Sequence, residues 1–104
     1  MCSPGTEVDI NGSKAENHCI SSSSNTYHND DWISVEFLVF SDSIVHHIIE
    51  RDTVMSYSNI RFGGTYLSDN FTDKIDQPLK EGYISIQSEG HPIEFKNIKI
   101  KEFD

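Results

Sequence analysis

From Trp32 onward the chain alternates apolar and polar positions with a period of two. In "WISVEFLVF", Ile33, Val35, Phe37 and Val39 share one parity, and Trp32, Ser34, Glu36 and Leu38 share the other. Branched and aromatic residues on one face predict a β-strand laid on a core. Ser41-Asp42-Ser43 reads as a turn and "IVHHII" as the returning strand, so residues 33–49 predict a hairpin. A second turn at Arg51-Asp52 leads into the strand "TVMSYS". Residues 58–81 form a longer connection containing Gly63-Gly64 and Pro78. "YISIQS" then predicts a strand with Ile84 and Ile86 inward and Tyr83, Ser85 and Gln87 on the opposite face. In "PIEFKNIKIKEF" the phase slips. Ile93 and Phe95 share one parity, Ile98 and Ile100 the other, which predicts a bulge at Lys96-Asn97.

Residues 1–31 have a different composition, rich in Ser, Asn, Gly and Asp, as turns and irregular backbone favour. "TEVDING" is the one strand candidate there, with Asn11-Gly12 as its turn signal. No window shows helical periodicity. The predicted fold class is all-β, an antiparallel sandwich or barrel, with a loop-rich entry at 1–31 and strands over 32–104.

With 104 residues the chain makes one small domain. Its net charge of −9, with only 8 Lys and Arg, excludes a phosphate-backbone partner, so no nucleic-acid role is expected. The same charge is repelled by an anionic membrane surface, and no apolar run approaches the ~20 residues of a membrane-inserted helix. No basic and apolar leader pattern opens the chain. Cys2 and Cys19 lack the spacing of a zinc site. A disulfide and two free thiols both fit these residues, since geometry is not written in sequence.

Several segments follow one another in a characteristic order: "CSPGTEVDING", "HCISSSSNTYHNDDW", "VEFLVFSDSIVHHII", "TVMSYS" and "EGYISIQSEGHPIEFKNIKIKEF". In this the chain resembles the 3-keto-disaccharide hydrolase domain family, whose fold is a concanavalin-like lectin/glucanase jelly roll. The closing motif, strand-Gln-Ser-Glu-Gly-x-Pro-x-x-Phe-Lys/Arg-Asn-Ile, is its most specific part. The segment His18 to Trp32 is a second anchor. The resemblance implies that the chain is the C-terminal portion of such a domain, with an N-terminal half expected before Cys2. It also implies a periplasmic or extracellular location, and with it a Cys2–Cys19 disulfide. One departure stands out. Relatives turn with Asn-Gly after "HHII", where this chain has Glu50-Arg51.

The implied ligand is a carbohydrate, and the implied chemistry is unlike ordinary glycoside hydrolysis, which uses paired carboxyl groups. A carbonyl at C3 of the sugar makes the C2 hydrogen acidic. One base removes it, the C1 substituent leaves, and water adds. No cofactor is required, although a divalent metal such as calcium is one means of polarising the keto oxygen. Glu89 and His47 are the candidate catalytic residues, as base or orienting group. Gln87, two residues from Glu89 and on the same face of a strand, would hold hydroxyls. His91, Arg61 and Trp32 are further candidates for substrate contact. His46 and His47 must face opposite sides, and register against the family favours His47. Trp32 reads also as packing, with Tyr27 and His28 nearby. Asp69, Asp73 and Asp76 read as a solvated loop, too loosely spaced for an EF-hand. A non-catalytic carbohydrate-binding module, or a truncated remnant without activity of its own, are the alternatives on the same fold.

Overall fold

A computed structural model describes residues 1–41 and 44–103. It contains one five-stranded antiparallel sheet: β1 (Thr6–Ile10), β2 (Ser13–Lys14), β3 (Val35–Phe40), β4 (Ile44–Ile49) and β5 (Asp52–Phe62). The spatial order is β2-β1-β5-β4-β3, so the longest strand lies in the middle and β3 at an edge. A short 3₁₀ turn, Asp69–Lys74, follows β5. The architecture is all-β and corresponds to one layer of a sandwich.

Local chemistry accounts for the hairpins. Asn11 and Gly12 both take positive φ (53° and 82°) and join Ile10 to its partner Ser13, the primed two-residue turn that Asn-Gly favours. The turn between β4 and β5 has the same length, because Ile49 pairs with Asp52. Its central residues are therefore Glu50 and Arg51, one residue earlier than the sequence suggests. Both hold positive φ (48° and 74°) without the glycine that normally makes this easy. The side chain of Glu50 adds a local bond, accepting the Ser34 N–H at 2.7 Å. Of the turn expected at Ser41-Asp42-Ser43, Asp42 and Ser43 lie outside the described residues.

Between His47 and Ile48 the β4–β5 register slips by one residue, leaving Val54 as the extra residue of a bulge. Ser23 donates its N–H (2.9 Å) and its hydroxyl (3.2 Å) to the Val54 carbonyl. The polar entry segment is thus fastened to the middle strand. It is closed upon itself by a disulfide between Cys2 and Cys19, 17 residues apart. Backbone bonds from Ser3 to His18 and from Ile20 to Met1 flank that link.

β5 runs on to Phe62, beyond the predicted strand. Past Ser58, β4 no longer covers it, and residues 76–79 take that side. Leu79 N–H bonds the Ile60 carbonyl, and Phe62 N–H bonds that of Gln77.

Two expectations are corrected. Val35, Phe37 and Val39 do not sit under a second layer; each is about half exposed. The buried apolar residues are instead Val8, Val45, Val54 and Met55, on and beside the central strands. An apolar face is buried only when another layer lies on it, and alternation alone cannot supply that layer. Secondly, "YISIQS" and "PIEFKNIKI" form no strand, and Ile84 and Ile86 stand 76% and 48% exposed. A strand exists only against a hydrogen-bonding neighbour, and this segment pairs with none among the described residues. Asn97 does turn the chain at the predicted slip, with φ of 56°, but outside any sheet. The accessible surface reflects both findings. It is 8891 Å², against about 5,900 Å² for a compact chain of this mass.

Candidate functional site

Register places Phe37, His47 and Met55 side by side across β3, β4 and β5, with Val39, Val45 and Tyr57 in the next row. This is the apolar face. Its one imidazole, His47, lies edge-on between two rings: Phe37 at 4.6 Å and Tyr57 at 5.2 Å between centroids. His47 Nε2 is 2.9 Å from the Tyr57 hydroxyl. Partial burial pushes the His47 pKa below its ordinary value near 6.5, and the positive amino terminus adds to this. The imidazole is therefore neutral at pH 7. The same partial burial raises the Tyr57 pKa, keeping its phenol protonated. A neutral imidazole tethered to a phenol, with aromatic walls, can accept a proton from a bound molecule while the walls hold an apolar sugar face.

The other face is mixed, with Leu38, Phe40, Ile44 and Ile48 beside Glu36 and Ser56. His46 points there and bonds Ser56 Oγ at 2.6 Å. Further along, Arg61 lies within β5 rather than in a loop, and its side chain is largely covered. It contacts Asp9 at 3.1 Å and Glu7 at 3.6 Å, and donates to the Asn59 carbonyl at 2.8 Å. Lys14 closes on Glu7 at 2.8 Å. Asn59 donates to Asp9, which, together with Arg61, holds the Asp9 carboxyl below its usual value. Beside this cluster a shallow depression of about 260 Å³ is lined by Glu7, Lys14, Asn17 and His18 among others.

The remaining candidates are scattered. Gln87, Glu89 and His91 lie on the exposed C-terminal segment. "QSEGHP" does turn, with Gly90 at φ 77° and the Ser88 hydroxyl donating to the His91 carbonyl. No strands flank that turn, and among the described residues the side-chain partners of His47 and Arg61 are Phe37, Tyr57, Glu7, Asp9 and Asn59, not Gln87, Glu89 or His91. Trp32 precedes β3 instead of starting it, is 53% exposed, and carries the Lys96 ammonium 4.1 Å above its ring. Tyr27 and His28 are exposed. Asp69 and Asp73 lie on the 3₁₀ turn and Asp76 just beyond it. Among the described residues no group of three or more His, Cys, Asp or Glu side chains is placed to hold a metal. Nor is any helix there long and apolar enough to cross a membrane.

Sequence reasoning passed over Tyr57. No local signal marks it, since a two-residue turn alone would set Tyr57 opposite Ile44, and only the bulge at Val54 brings it to the face of His47. Glu7 and Asp9 carry no local signal, because their partner Arg61 is some fifty residues away.

The apolar face of this open β-sheet bears an aromatic-walled imidazole, and the family match gives the carbohydrate-related class of the domain. Residues 4–101 match the 3-keto-alpha-glucoside-1,2-lyase-like domain family, and the chain belongs to that family. Neither a curated protein nor a solved structure matches it.

Proposed function

We propose that this domain acts on 3-keto-glycosides by elimination followed by hydration. The family match over nearly the whole chain carries the reading. The His47–Tyr57 pair supplies a base suited to it. With Nε2–H donating to the Tyr57 oxygen, Nδ1 keeps its lone pair for the C2 hydrogen of the sugar. Removing that proton leaves an enolate on the C3 carbonyl. The enolate re-forms the carbonyl as a C1=C2 bond is made and the C1–O bond breaks, with the departing oxygen taking up a proton. Water then adds at C1. Gln87 and Glu89 are the proposed holders of the hydroxyls, and Arg61, Trp32 and His91 further contacts. The reading needs no resident cofactor. The disulfide supports an oxidising compartment, periplasmic or extracellular.

The test is release of a chromogenic aglycone from a 3-keto-glycoside by the full chain. His47→Ala is expected to lower kcat about 10²- to 10⁴-fold, the range of a lost general base. A C2-deuterated substrate should react more slowly. Saturable sugar binding with no aglycone released by the unmodified chain would overturn the lyase reading and leave a binding module.

A further inference from the structure

Two features fit each other. β3 is an edge strand, with one side paired to β4 and the other side of its residues 35–39 open among the described residues. Its apolar side chains Val35, Phe37 and Val39 are half exposed. A bare edge of this kind is a template for another strand. The second feature is the C-terminal segment. Residues 83–100 carry the alternation of two strands and yet form no strand pairing among the described residues, leaving Ile98 and Ile100 73% and 88% exposed.

Charge distinguishes the two. Within residues 93–101 Lys96, Lys99 and Lys101 stand against Glu94, with Glu102 directly after. The approach to β3 carries Asp30 and Asp31, and β3 itself Glu36. Lys96 already rests on the ring of Trp32, directly after that acidic pair. The chain as a whole bears −9, so two copies repel unless their basic segments meet their acidic edges.

We infer that the C-terminal segment is a donor strand for a second copy of this chain. Each copy lays residues 93–101 along the open edge of the other's β3. Donor and acceptor occur on the same molecule, so the exchange closes as a two-fold dimer and stops there. Main-chain bonds provide the adhesion, while the lysine run against the acidic edge sets direction and register.

The experiment is light scattering of the full chain over a concentration series, in low and physiological salt. A dimer is expected, weakened by salt. Ile98→Pro removes a main-chain donor from an exposed, unpaired position, so the monomer fold is retained, as circular dichroism would verify. It should raise the dimer dissociation constant at least tenfold, and Lys99→Glu should raise it too. A chain that stays monomeric at all concentrations overturns the inference. So does a dimer that neither substitution weakens.

Discussion

His47 Nε2 and the Tyr57 hydroxyl lie 2.9 Å apart on the apolar face, a side-chain contact laid over the β4–β5 ladder. The contact fixes the ring and leaves the second nitrogen free. Tyr57→Phe keeps the aromatic wall and removes the anchor. It is expected to cost about 1 kcal/mol of stability. Activity on a 3-keto-glycoside should fall about tenfold, less than for His47→Ala. Denaturant titration and initial rates check both numbers.

The same imidazole gives the protein a pH signature. Its folded pKa lies below the unfolded value near 6.5. Between those two values the unfolded chain binds the extra proton, so stability rises with pH across that window. Acidification from pH 7 through 6.5 therefore weakens the fold, with the loss complete below the folded value. His47→Asn should remove that part of the slope. Melting temperatures at half-unit pH intervals would show whether it does.

Gly64 holds φ of +70°, and a Cβ there would sit 3.1 Å from the Thr6 carbonyl oxygen and 3.2 Å from Glu7 Cγ. Gly64→Ala is expected to destabilise by about 1–2 kcal/mol through left-handed strain alone. It also pushes on the carboxylate that serves Arg61 and Lys14. A lower denaturation midpoint with unchanged steepness is the expected result.

Arg51 pays for its place in the β4–β5 turn with a strained φ of 74°. Arg51→Gly should raise stability by about 1 kcal/mol. Glu50 is better left alone, because its carboxylate caps Ser34. A rise in melting temperature for Arg51→Gly, and none for the double change Glu50→Gly with Arg51→Gly, would separate the two effects.

Reduction of Cys2–Cys19, or Cys19→Ser, releases the loop between them. The expected loss is about 3 kcal/mol, the entropy that a closure of this size removes from the unfolded chain. Thermal melts with and without a reductant measure it.

The hairpins were legible because their signals are local. Alternation in "VEFLVF" and "IVHHII", and Asn11-Gly12, each act over a few residues. The pairing of β1 with β5 was not legible, since nothing in "TEVDI" names "SNIRF" as its neighbour. The Glu7–Arg61–Asp9 cluster stayed hidden for the same reason. "YISIQS" shows the converse. Its alternation is as clear as that of β3, but a pattern states only that a segment can pair. His47 was legible as a candidate through the family register, whereas its tie to Tyr57 required the bulge at Val54, which shifts Tyr57 onto the same face.

The double grip of Ser23 on Val54 has a mechanical meaning. A pull on the amino end divides at Cys2–Cys19: one branch loads β1 against the far end of β5, the other reaches the crease at Val54. The serine-rich stretch acts as a second tether, which shares the strain between the middle of the fabric and its end.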